Sequence, residues 1–220
     1  MDRLGILGGT FNPPHRGHLA LARHAKDELG LDRVVLMPAH SAPHKVQEGD
    51  PGPEGRLQMC RLAVDGEDWL GVCALEIEHG GLSYTVDTLR AIHASHKEAE
   101  LTFIVGADMA RTLPTWHEPE VLLELASLAV AEREDAGRDG VLRALAPLRR
   151  TTGGGSPDGS PGGVTFLKMG IVEISSSIVR ELVAEAKPVG EMVVPAVAGY
   201  IAEHGLYHAA VATEAEAGAK

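Results

Sequence analysis

Two imidazoles three residues apart, His15 and His18, stand behind a short apolar run that ends in Gly8-Gly9-Thr10. Residues of these types at this spacing can hold an anion. Gly8 and Gly9 let the backbone turn sharply after residues 4–7 and leave no Cβ between main-chain amides and a ligand. Thr10 adds a hydroxyl at the same place. Leu21, Ala22, Ala25 and Leu29 recur at helical spacing, so a helix opens near residues 16–18. Its unsatisfied N–H groups and the positive end of its dipole face the turn, and the whole forms a phosphate cradle. The stretch is not a GxGxxG fingerprint, and the chain holds no GxxxxGKS or GxxxxGKT. A dinucleotide-dependent oxidoreductase and a P-loop NTPase are therefore disfavoured.

Three readings compete for the histidines. A zinc pair needs a third ligand, and neither an HExxH-like nor a cysteine context is present. A structural pair at a helix cap is the better choice for two arbitrary histidines in a chain of eleven. Imidazoles donating to phosphate oxygens explain the glycines, the threonine and the histidines together, and that reading is preferred. A neutral ring still has one donor.

A second anion-suited stretch is Ile174-Ser175-Ser176-Ser177-Ile178-Val179-Arg180. Its serines sit at a helix start, and Arg180 follows within about one turn. Alone, it reads as an ordinary N-cap with a solvated arginine. GGTFNPPHRGH, however, resembles the T/HxGH signature of the nucleotidyltransferase superfamily, and ISSSIVR resembles that superfamily's ISSTxIR. Asn12 stands where aspartate is frequent, and Ser177 and Val179 keep a hydroxyl and a β-branched side chain. The stretches 37–45, 56–63, 82–90, 104–120 and 193–207 are similar to the bacterial nicotinate-nucleotide adenylyltransferases. That resemblance covers nearly the whole chain, sparing chiefly 134–163 and the tail.

The resemblance implies adenylyl transfer from ATP to nicotinate mononucleotide, giving deamido-NAD and pyrophosphate. Mg²⁺ is implied with ATP, held mainly through phosphate oxygens. The implied catalytic residues are Thr10, His15, His18 and Arg180. Gly8, Gly9, Thr10, Phe11 and His18 line the phosphates near the α-position, and Ser176, Ser177 and Arg180 hold the β,γ-phosphates. Gly106 admits a nucleoside close to the backbone, and Asp108 accepts from ribose hydroxyls or caps a helix. Trp116 and His117 belong to the acceptor pocket, with Trp116 offering a stacking face or, alternatively, core packing. The amides of Tyr84 and Thr85 receive the nicotinate carboxylate. Lys45, with His44, either contacts the acceptor phosphate or sits in a solvated loop. Arg56 and Arg133 belong either to the nucleotide surroundings or to surface salt bridges. The alternatives are a related adenylyl- or cytidylyltransferase with another acceptor, or a non-catalytic nucleotide sensor.

The elements needed to position these groups are legible in the apolar pattern. Strands are expected at 4–7, 33–37, 71–77, 101–105 and 127–132, and helices at 18–29, 54–65, 85–96 and 117–125. Strand–helix alternation predicts an α/β fold, a Rossmann-like, mostly parallel sheet with helices on both faces. Ligands then sit beyond the carboxyl ends of the strands, at loops 8–17 and 106–116. The domain reading is a Rossmann-like unit over 1–174, a helical C-terminal subdomain over 175–208, and a frayed tail over 209–220. Residues 151–163 are a Gly-, Ser- and Pro-rich surface loop with nothing to bury. The C-terminal helical segment is a candidate homodimer surface.

Bulk properties agree. The chain has 220 residues, 44% of them hydrophobic, enough for one full core. A net charge of −11 argues against a general nucleic-acid surface but not against small phosphorylated substrates. Cys60 and Cys73 form no CxxC and read as reduced core thiols. Neither a signal peptide nor a membrane span fits, so a cytoplasmic protein is expected.

Overall fold

The computed structural model describes residues 2–40, 49–132, 137–151, 163–168 and 174–208. Among the described residues six strands form one parallel sheet: β1 (Arg3–Gly9), β2 (Arg33–Pro38), β3 (Leu70–Val72), β4 (Glu100–Gly106), β5 (Ser127–Glu132) and β6 (Val164–Lys168). Their spatial order is β3-β2-β1-β4-β5-β6, with Leu7 of β1 in register with Leu36 on one side and Ile104 on the other. The order reverses between β1 and β4, and that places a crevice beyond their carboxyl ends.

The near-continuous apolar runs arise because both faces of the central strands are covered. Alternate side chains enter two cores. Ile6, Phe103, Val105, Leu128 and Val130 join one cluster, and Leu7, Ile104, Val34, Leu36 and Ala129 join the other. The first is covered by α4 (Thr85–Ser95), α5 (Ala107–Thr112), α6 (Pro119–Leu125) and α7 (Arg138–Thr151). The second is covered by α1 (Arg16–Leu29) and α2 (Gly52–Val64). Burying one such side chain contributes about 1.5–3 kcal/mol. A third cluster joins Val179 and Val183 of α8 (Ser176–Ala184) and Val197 and Ile201 of α9 (Pro195–Glu203) to Met59 and Ala63 of α2. The C-terminal helices therefore rest on α2, beside the crevice.

Three expectations change. The strand expected over 71–77 stops at Val72, and α3 (Leu75–His79) follows, closed by Gly80 at φ 67°. A five-residue helix is too short to show a 3.6-residue period, so Val72, Leu75 and Ile77 read equally well as a strand. The loop expected over 106–116 is mostly α5 and a 3-10 turn, Leu113–Thr115. Helix α7 was not expected; Val141, Leu145 and Leu148 carry its buried face in spite of Pro147 inside it. The expected features at 44–45, 133, 152–162, 170–173 and 209–220 lie outside the described residues.

Candidate active site

β1 ends in Gly8-Gly9, and both glycines are strand residues rather than the turn. A Cβ on Gly8 would lie 2.9 Å from the Phe103 ring, and one on Gly9 would lie 3.1 Å from the Phe11 ring. They are needed for close packing beneath the loop. The turn itself is made by Phe11, whose φ of 51° is uncommon for a residue with a side chain. Its ring is 2% exposed, and that burial holds the strained backbone in place. The role expected of the glycines thus passes partly to Phe11.

His15 is the N-cap of α1 and His18 its third residue. Their rings stack at 3.7 Å and 26°, and Phe11 meets His18 edge-on at 4.8 Å. The main-chain N–H of His15 donates to His18 Nδ1 at 3.2 Å. Nδ1 is therefore an acceptor, and the proton of the neutral ring sits on Nε2, on the far side from the cap. The capped-pair and phosphate-donor readings are compatible: one edge of His18 caps the helix while the other can donate. The amides at the start of α1 are partly committed, since Arg16 N–H donates to Met192 O at 2.7 Å and His18 N–H to His15 O at 2.9 Å.

The second motif is docked on the first across more than 160 residues. Ser176 Oγ donates to Pro13 O at 2.9 Å, and Arg180 donates to Asn12 O at 2.7 Å. Ser175 caps α8 by accepting from Ile178 N–H, and it also pairs with Ser177 Oγ at 3.0 Å. Tyr207 donates from its buried hydroxyl to Asn12 Oδ1 at 2.6 Å. Asn12 thus receives α8 on its carbonyl and the C-terminal segment on its side chain.

Arg56 of α2 holds the other flank. It is 3% exposed and donates to Thr10 O, Ala39 O and His40 O at 3.0, 2.6 and 2.8 Å, and to Asp50 at 3.2 Å. It is neither a surface ion-pair residue nor visibly aimed at a ligand. It ties the loop after β1 to the loop after β2.

Beyond β4, Gly106 caps α5, and a Cβ placed on it would meet nothing within 4 Å. Asp108 lies in the first turn of α5 rather than at its cap, and its side chain is 90% exposed and paired with Arg111. Trp116 takes an intermediate position. Its edge faces Phe103 at 6.0 Å, it packs against the first core, and its indole N–H donates to Thr112 Oγ1 at 3.0 Å. Tyr84 caps α4, Thr85 begins it, and the Tyr84 ring lies 4.5 Å from that of His117. Arg90 bridges to Glu118 through two hydrogen bonds, locking α4 against the 116–118 loop. Tyr84, Thr85 and His117 therefore come together, next to Trp116 in the chain. Lys45 lies outside the described residues.

Sequence reasoning missed Arg56 as a clamp, and it missed Tyr207 and the Asn12 side chain altogether. Apart from Asp50, six positions from Arg56, their partners are 16 to 195 positions away, so none carries a complete local signal.

Comparison with known proteins identifies the family. The model of the cytidylyltransferase-like family matches residues 6–182. A probable nicotinate-nucleotide adenylyltransferase of Thermomicrobium roseum is 38% identical over 94% of this chain and 92% of its own length. This chain belongs to the nicotinate-nucleotide adenylyltransferase family. A relative described in the same words from Desulfitobacterium hafniense is also 38% identical, over 93% of this chain and 95% of its own. Among solved structures, the Plasmodium falciparum nicotinic acid mononucleotide adenylyltransferase complexed with APC superposes with a TM-score of 0.68. It is 16% identical, over 94% of this chain and 98% of its own, and shares the fold. Membership of this family makes the chain a nucleotidyltransferase with a Rossmann-like sheet. Among the described residues no helix is long and apolar enough to cross a membrane.

Proposed function

We propose that the protein transfers the adenylyl group of ATP to nicotinate mononucleotide, forming deamido-NAD and releasing pyrophosphate. The observation that carries this reading is the docking of Ser176 and Arg180 onto the carbonyls of Pro13 and Asn12, beside the stacked histidines. Two anion-binding motifs converge at one crevice, as a triphosphate requires. A 5′-phosphate oxygen of the acceptor attacks the α-phosphorus in line, and the bond to the β-phosphate oxygen breaks. The protein aligns the two phosphates and stabilises the equatorial and leaving-group charge. His18 Nε2–H donates to an α-phosphoryl oxygen, with Thr10 and the Gly9 and Phe11 amides alongside and His15 supporting the ring. The start of α8, with the exposed Ser177 and the Arg180 guanidinium, receives the β,γ-phosphates.

The open backbone at Gly106 and the exposed carboxylate of Asp108 suit a ribose. Trp116 and His117 flank the acceptor ring, and the start of α4, at Tyr84 and Thr85, receives its carboxylate. Mg²⁺, when bound, would supply charge neutralisation on the triphosphate. Phosphate oxygens would be its main ligands.

Pyrophosphate release is the test, with ATP, Mg²⁺ and each of nicotinate mononucleotide, nicotinamide mononucleotide and phosphopantetheine. The nicotinate acceptor should be used with strong preference, the dinucleotide product being confirmed by mass. Replacing His18 by Ala should lower kcat about 10²- to 10³-fold with ATP binding retained, the scale of losing one transition-state donor. An unchanged rate in a folded variant defeats the catalytic role, and silence with the nicotinate acceptor defeats the reaction.

A further inference from the structure

A buried carboxyl lies beside the start of α4 and has no part in the chemistry above. Glu76 of α3 is 5% exposed and lines a cavity of about 130 Å³ together with His79, Ser83, Tyr84, Asp87 and Thr88. Thr88 Oγ1 donates to it at 3.4 Å, and the Ser83 side chain hydrogen-bonds to it as well. Ser83 Oγ in turn accepts from His40 N–H at 3.1 Å, and the His40 ring pairs with Gly81 O at 2.9 Å. The His40 carbonyl is the one gripped by Arg56. Glu76 is thus the inner anchor of the segment 80–84, and this segment leads directly into Tyr84 and Thr85. Thr88 is the fourth residue of α4, so the carboxyl lies along the first turn of the helix.

We propose that Glu76 sets acceptor specificity at the start of α4, where its cavity and the proposed acceptor site share Tyr84: as a neutral carboxylic acid it admits a ring carboxylate there, and as a carboxylate it opposes one. The inference rests on the reading that α4 receives the acceptor. A helix N-terminus attracts an anion within its first turn, and a second negative charge alongside that turn works directly against it. Burial pushes Glu76 up to about 7, against the hydrogen bonds from Ser83 and Thr88 that favour its charged form. The groups that face it are His79 and Asp87 in the cavity, Cys73 and Glu78 on its own segment, and His40 through Ser83. For a separation of two helical turns, about 10 Å, and an effective dielectric of 20 to 40, a unit charge changes anion affinity roughly 4- to 15-fold.

The experiment measures KM for nicotinate and nicotinamide mononucleotides from pH 6 to 8.5, together with KM for ATP, in the wild-type protein and in Glu76→Gln. Both acceptors carry the same 5′-phosphate, so the ratio of their KM values cancels its titration. In the wild type that ratio should shift about 4- to 15-fold against the nicotinate acceptor as pH rises, while KM for ATP does not follow. Glu76→Gln should hold the low-pH ratio throughout. Thr88→Val removes a hydrogen bond that favours the carboxylate, so the inflection should move to higher pH, a shift that a purely structural role does not produce. A pH-independent ratio in the wild type, or the same inflection in Glu76→Gln, overturns the inference alone. Absence of any turnover of nicotinate mononucleotide overturns the underlying reaction and this inference with it.

Discussion

Replacing Arg56 by Met should separate the loops after β1 and β2, which frame the proposed phosphate site. Methionine keeps the apolar stem and removes every donor, so the carbonyls of Thr10, Ala39 and His40 and the Asp50 carboxylate lose four hydrogen bonds from a guanidinium that is almost wholly buried. A hydrogen bond to a charged group contributes about 1.5–3 kcal/mol, but these carbonyls are only part-buried and water can reach some of them after the change. The net loss should be about 3–4 kcal/mol, within the range for breaking a buried charge network. For a urea slope of about 2 kcal/mol per molar, the unfolding midpoint falls by about 1.5–2 M. The loosened Thr10 carbonyl should also lower kcat/KM by at least about tenfold, because misplaced phosphate ligands forfeit alignment. Urea unfolding followed by circular dichroism, paired with pyrophosphate-release kinetics, reads both effects. A loss below about 1 kcal/mol with kcat/KM unchanged refutes the clamp, since four such bonds cannot vanish silently.

Tyr207→Phe removes the 2.6 Å bond to Asn12 Oδ1 and should cost about 1–2 kcal/mol in urea unfolding; no change at all contradicts a structural bond there. Glu76 also makes stability depend on pH. Its folded value, about 7, lies above the ordinary 4.5, so the folded state binds the extra proton between these points. Its favourable contribution is complete below about pH 4.5 and is lost as pH rises through 7, so the wild type should lose about 2–3 kcal/mol relative to Glu76→Gln between pH 5 and 8. Parallel stability curves for the two proteins contradict the burial argument.

The chemistry-bearing stretches are legible because their signals are local. His15 and His18 sit three residues apart at a helix start, and Ser175 caps α8 with Arg180 less than two turns on; each pattern is complete within a dozen residues. The parallel sheet is legible for the same reason. The runs at β1, β2, β4 and β5 are apolar because helices cover both faces, and burial writes that demand directly into composition. The short helix α3 is not legible, because one turn of apolar residues carries no period that distinguishes helix from strand.

Gly8 and Gly9 mark the limit of local reading. Their presence points to close approach, but only the fold shows that the neighbours are the rings of Phe103 and Phe11 and that Phe11 makes the turn. The sequence by itself determined the two motifs proposed to bind phosphates, the alternating elements and the end of the sheet toward which those motifs lie. Only the tertiary structure decided that Ser176 and Arg180 close over Pro13 and Asn12, that Arg56 and Tyr207 brace them, and that Glu76 sits beneath α4. The physical reason is that a motif is encoded by neighbours along the chain, whereas a buried polar group is satisfied by whichever partner packing brings to it, and that partner can lie anywhere in the sequence.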